Sequence, residues 1–129
     1  MDTKKALSGF SLVELMIVLT IIGVLSAISF PVYQNYVQET RRADAWTALN
    51  AAAAAQQRWY AVHFKYTANI DQLGGGTSPE GLYQISVNIS DGGYTLTANA
   101  DKSGVQSNDT DCTSMTLNHL GIQSPSQCW

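Results

Sequence analysis

The 129-residue sequence predicts an α+β fold in which a long N-terminal helix, membrane-spanning in its first half, packs on a small antiparallel sheet. Three observations lead there. Residues 15–30 are all apolar or small and uncharged. Residues 46–64 then repeat apolar side chains at spacings of three, four and seven, the pattern of a helix with one buried face. Finally, Tyr83, Ile85, Val87 and Ile89 alternate with Gln84, Ser86, Asn88 and Ser90, and Tyr94, Leu96 and Ala98 alternate with Thr95, Thr97 and Asn99. That is the period of half-buried strands.

In chain order, residues 1–9 are short and polar, carry Lys4 and Lys5, and end in Ser8-Gly9. They read as a leader that is removed, not as part of the fold. Residues 10–30 read as a transmembrane helix: 21 residues at about 1.5 Å each reach about 30 Å, the thickness of a bilayer's hydrocarbon core. The two lysines before it argue for a cytoplasmic N-terminus. An ordinary secretory signal also starts basic and continues apolar, but its apolar part is about 7 to 15 residues and cleavage follows it. A simple single-span anchor accounts for the length and leaves Glu14 unexplained, because an acidic side chain in hydrocarbon costs about 3 kcal/mol and calls for a partner.

Residues 31–64 continue as an amphipathic helix. On a helical wheel Trp46, Leu49, Ala53, Tyr60 and Phe64 form one stripe, expected to pack on the sheet, with Asp44, Thr47 and Arg58 opposite. The alanine run at residues 51–55 is the strongest of helix formers. Gly23 weakens a helix and Pro31 removes a backbone donor, so bending is expected at both. Residues 65–129 are expected to hold a loop and the sheet. Gly74-Gly75-Gly76 marks the loop, with a brief turn around residues 70–73, and Asp91-Gly92-Gly93 supplies the turn of a hairpin. A weaker strand is expected at residues 115–118, after a polar loop at 101–111 and before a turn at Gly121.

Lys plus Arg number 7 against 10 for Asp plus Glu, a formal net charge of -3, and losing residues 1–9 takes away Asp2, Lys4 and Lys5, leaving the body more acidic. Such a balance disfavours a global attraction to nucleic acid, although a local stripe can still bind it. The two cysteines, Cys112 and Cys128, sit in a chain that reads as exported, which favours one disulfide over a pair of free thiols. A loop of that size stabilises a small core by about 3 kcal/mol in the chain-entropy picture.

The stretch Gly9-Phe10-Ser11-Leu12-Val13-Glu14-Leu15 resembles the processing motif of type IV prepilins and type II secretion pseudopilins, and the resemblance continues through the apolar segment to Pro31. It implies a pilin-like fold, cutting between Gly9 and Phe10 by a membrane prepilin peptidase, and N-methylation of the new amino group of Phe10. It further implies other pilin subunits and an inner-membrane assembly platform as partners. Glu14 becomes the fifth residue of the trimmed chain, and the resemblance implies that its carboxylate meets the terminal amine of a neighbouring subunit during assembly. A contact with the amine of Phe10 in the same chain is the alternative, since residues four apart share a helix face. The segment closing in Cys128-Trp129 resembles the disulfide-bounded loop of minor pilins more than the calcium-loop ending of major pseudopilins. On this resemblance the precursor sits in the inner membrane and the product in a periplasmic or extracellular filament.

There is no GxxxxGK nucleotide loop, no HExxH and no paired-cysteine zinc spacing. His63 and His119 are isolated in sequence, so no enzyme, cofactor or metal is expected, and His63 reads as an interfacial helix residue. Asp101, Asp109 and Asp111 offer oxygens to calcium but lack the EF-hand spacing and read as a solvated loop. The expected function is a structural subunit, minor rather than major. The alternatives are a filament-tip adhesin or DNA-uptake receptor using Arg41, Arg42, Arg58 and Lys65, a type II secretion pseudopilin, or a secreted enzyme. Arg41 and Arg42 are expected on the stalk part of the helix. Twitching motility, adhesion, DNA uptake and secretion are outputs of the assembly motor and partner subunits more than of a fold.

Overall fold

The computed structural model describes residues 9–129, so the leader expected at residues 1–9 lies, but for Gly9, outside the described residues. Contacts divide the chain into two units, Met1–Tyr36 and Val37–Trp129. One helix, α1 (Leu12–His63), runs through both. It begins at Ser11, whose Oγ accepts a hydrogen bond from the Glu14 amide at 3.1 Å and so satisfies one of the helix's free donors. Ser11-Leu12-Val13-Glu14 has the spacing of a capping box. The helix is uninterrupted at Gly23 and Pro31, the two positions where bending is expected. In its first part every large apolar side chain is exposed, from Val18 at 48% to Leu12 at 77%. The Thr20 hydroxyl donates to the Met16 carbonyl at 2.8 Å, which keeps its polar group satisfied within the helix.

The second unit is a helix-backed sheet. Four strands, β1 (Tyr83–Ser90), β2 (Gly93–Ala100), β3 (Ser114–Asn118) and β4 (Gln123–Ser124), pair in the order β1-β2-β3-β4, each neighbour antiparallel. The β1–β2 hairpin turns on two residues, Asp91 and Gly92, with φ of 51° and 75°. Both are left-handed, as a turn matched to the twist of the strands requires, and Asp-Gly tolerates this well. The short β4 is exposed at both positions; two residues cannot display a period, and it was not expected. A single 3₁₀ turn, Ile70–Leu73, lies in the glycine-rich connection where a turn is expected.

Alternate strand residues build the core, with Tyr83 and Ile85 from β1, Tyr94, Leu96 and Ala98 from β2, and Met115 and Leu117 from β3. They meet Ala45, Leu49 and Ala52 of α1. Of the expected stripe Leu49 is buried and Trp46 and Ala53 pack against the core, but the stripe is shifted at its two ends. Its buried members are Asp44, Ala45, Leu49, Ala52 and Gln56, while Tyr60 is 42% and Phe64 80% exposed. Ala45, Leu49 and Ala52 are the helix residues that complete the core, while Tyr60 and Phe64 farther along are left exposed. The helix also stops at His63. Phe64 takes φ 56° and donates its amide to the Tyr60 carbonyl at 2.8 Å, a left-handed cap that ends the stripe. Cys112 and Cys128 are bonded, S–S 1.99 Å, and both are buried, which ties the C-terminal tail to the start of β3.

The stripe is open to measurement. Leu49→Ala should lower unfolding stability by about 3 kcal/mol. Phe64→Asn, which keeps a residue tolerant of φ > 0, should stay within about 0.5 kcal/mol of the native chain. Urea unfolding of the full chain in detergent gives both values, and the opposite ranking would restore the aromatic stripe.

Candidate assembly and binding surfaces

Gly9 and Phe10 precede α1 and are exposed, Phe10 at 83%. Glu14 occupies the first turn of the helix, where a negative charge is favoured by the helix dipole, and its side chain is exposed. Among the described residues, no hydrogen bond or ion pair engages its carboxylate. The Ser11 cap was not foreseen, although the spacing of Ser11 and Glu14 was available in the sequence. Around these residues lies the exposed apolar surface of α1, a span long and apolar enough to cross a membrane. Such a surface can face lipid or other helices of the same kind.

In the second unit, α1 fastens each later segment through a polar side chain. Arg42 donates from Nε and one terminal nitrogen to Asp109 at 2.7 and 2.9 Å, and Asp109 is 4% exposed. The hydrogen bond to Asp109 raises the Arg42 pKa above its ordinary value. This corrects two expectations at once: Arg42 is held against the sheet unit and not displayed on a stalk, and Asp109 is a buried ion-pair partner and not part of a solvated acidic loop. Asp44 corrects a third. Expected on the solvent side, it is buried, accepts from the Ser78 hydroxyl, and accepts from the amides of Glu80 at 2.9 Å and Leu82 at 3.3 Å. A carboxylate can stay buried when donors converge on it in this way. Gln56 exchanges two hydrogen bonds with the backbone of Thr67, 2.7 and 3.0 Å, and the Trp46 indole donates to the Cys128 carbonyl at 2.8 Å.

The remaining candidates are scattered. His63 is exposed and stacks on Trp59 with ring centroids 3.8 Å apart. His119 lies 6.2 Å from Tyr94 and covers Gly93, where a Cβ would stand 2.3 Å from the imidazole. Among the described residues, no group of three His, Cys, Asp or Glu side chains is placed to hold a metal ion. Rings from α1, the following loop, β2 and the β3–β4 turn form a ladder, Tyr60 to Tyr66 and Tyr66 to Tyr94 each 4.8 Å, then His119. It brings together positions far apart in sequence, and no local pattern signals it. Burial pushes the Tyr83 and Tyr94 hydroxyls up from the usual tyrosine range. Arg58, Lys65 and Lys102 are exposed, while Arg41 is half-buried.

An exposed membrane-length helix, capped at its first turn and continuing into a helix-backed antiparallel sheet with a C-terminal disulfide, defines a pilin. Residues 31–116 match the family model for the type IV minor pilin ComP, DNA uptake sequence receptor, and residues 4–30 match that of the prokaryotic N-terminal methylation motif. The chain belongs to this type IV minor pilin family. It is 34% identical over 104 residues to the fimbrial protein EcpC of Eikenella corrodens, covering 79% of this chain and 68% of that one. It is 34% identical over 95 residues to the type IV major pilin protein PilE1 of Neisseria gonorrhoeae, covering 71% and 53%. The chain thus spans about two thirds of the first relative's length and about half of the second's. A type IV pilin structure from Shewanella oneidensis superposes with TM-score 0.53 at 25% identity, covering 71% of this chain and 97% of that one.

The ion pair should behave as a buried anchor. Asp109→Ala leaves a half-buried guanidinium without its partner and should destabilise the chain by about 2 kcal/mol, as seen in urea unfolding. A change near zero would make the pair an ordinary surface contact.

Proposed function

We propose that the chain is made as a membrane-anchored precursor, trimmed between Gly9 and Phe10, methylated on Phe10, and inserted as a minor subunit into a type IV pilus. The observation that carries this reading is the uncovered apolar surface of α1, which finds lipid before assembly and neighbouring subunit helices after it. Gly9 suits a peptidase, since its open surroundings and lack of a side chain leave the backbone accessible. Trimming creates a positive amino group on Phe10 within an apolar environment. Glu14, unpaired in its own chain among the described residues, supplies the opposite charge to the amine of a neighbouring subunit. The prepilin peptidase and an inner-membrane assembly platform are the partners of these steps.

A second layer of the proposal concerns the role of the subunit: its second unit receives DNA. This rests on the family match, which extends over residues 31–116 and therefore covers the later helix, β1, β2 and the first part of β3. The net charge of -3 disfavours DNA contact over the whole surface, so the contact is local.

The assembly role has a direct test. Glutamine also serves at the third position of a capping box, so Glu14→Gln keeps the cap and the helix while removing the charge. Mass spectrometry should find an N-terminal, singly methylated Phe10 in both chains. The ratio of filament-associated to membrane-retained protein should fall for the variant, and equal ratios would remove Glu14 from assembly. The receptor role is tested in the cell. Deleting the gene should sharply lower uptake of added DNA while pili persist, and undiminished uptake would overturn it.

A further inference from the structure

We infer that the DNA contact proposed above is made by the C-terminal end of α1 and the residues just after it, with Arg58 and Lys65 on phosphates and Tyr60, His63 and Phe64 presenting rings to sugar and base edges. The inference rests on the receptor reading and specifies its site. The first support is charge. In a chain of net charge -3, residues 45–70 contain no acidic side chain, yet they hold both Arg58 and Lys65, each exposed. The other cations are placed less well for a polyanion. Arg42 is neutralised by Asp109, Arg41 is half-buried beside Arg42, and Lys102 adjoins Asp101, whose hydrogen bonds from Ser103 hold its carboxyl below the usual range.

The second support is the rings among these cations. Phe64 is 80% exposed and sits at φ 56°, a conformation that costs a residue with a Cβ about 1 kcal/mol and that a glycine usually fills at a helix end. The left-handed cap accounts for the φ, but neither it nor burial accounts for a phenylalanine there. An exposed aromatic residue in a strained position between His63 and Lys65 points instead to a contact outside the chain. Its neighbours are braced for one. His63 is stacked on Trp59 and its Nδ1 lies 3.1 Å from the Trp59 carbonyl oxygen. Tyr60 is held through Tyr66 to the buried Tyr94. Apolar rings beside cations, with no acid nearby in sequence, suit duplex DNA: phosphates take the charge while a ring packs against sugars or wedges at a base step.

The test uses the full chain in detergent micelles and a short fluorescent duplex of random sequence, followed by anisotropy at several salt concentrations. Two phosphate contacts give a slope of log K against log salt of about -2. Arg58→Gln and Lys65→Gln should each weaken binding and make the slope shallower by about one. Phe64→Asn should weaken binding several-fold with the slope unchanged, and Lys102→Gln should change neither. Matching circular dichroism and urea unfolding establish that the variants are folded. If the native chain binds but the Arg58, Lys65 and Phe64 variants bind as it does, the inference is overturned while the receptor reading stands on another surface. If the native chain does not bind duplex DNA, both fall.

Discussion

The second half of α1 lies against the sheet through Ala45, Leu49 and Ala52, and the polar side chains beside that strip hold the rest of the unit in place. Ala45 and Ala52 flank Leu49 and share the core with Leu96 and Ala98 of β2. Polar side chains beside this strip, Asp44 and Gln56 among them, are buried, and each must find a partner. Asp44 takes the loop leading into β1, Gln56 the loop leaving the helix, Arg42 the loop before β3, and Trp46 the C-terminal carbonyl of Cys128. Each later segment is thereby fixed to one rigid element, and the disulfide closes the end of the chain on the same assembly.

The first half of the same helix has the opposite character. It has no cover within its own unit, and its one acidic side chain stands at the first turn. Ser11 caps the start, so the helix does not need the Glu14 charge in order to begin. That leaves the carboxylate available to a neighbour. The covered core thus lies in the second unit, and the uncovered apolar surface in the first.

Charge is distributed in a corresponding way. Of the basic side chains in the second unit, Arg42 is spent on internal structure, while the exposed Arg58 and Lys65 lie in a stretch of sequence, residues 45–70, without an acidic side chain. A negative chain can engage a polyanion when its few free cations are grouped and ringed by apolar contact area, because short-range packing is not screened by salt whereas distant repulsion is. The aromatic ladder from Tyr60 to His119 stiffens this region against the sheet.

Local order was legible in the residues themselves. The uncharged run at 15–30 announced a long apolar helix, strict alternation announced β1 and β2, Asp91-Gly92 announced their turn, and the Gly9-Phe10 to Glu14 spacing announced the family resemblance, because each is a short-range regularity of helix pitch, strand pleat or a local motif. The pair Cys112 and Cys128 left one partner for each. Which face of α1 is inside could not be read the same way. A wheel that ranks residues by hydrophobicity puts Phe64 in and Asp44 out, whereas the fold inverts both, since Ser78 and the amides of Glu80 and Leu82 converge on Asp44 and a left-handed cap turns the chain at Phe64. Arg42 and Asp109, 67 positions apart, carry no mutual signal in the chain. Periodicity reports what a segment is; the partner of a buried charge is a long-range fact, set when separate segments close on one another in space.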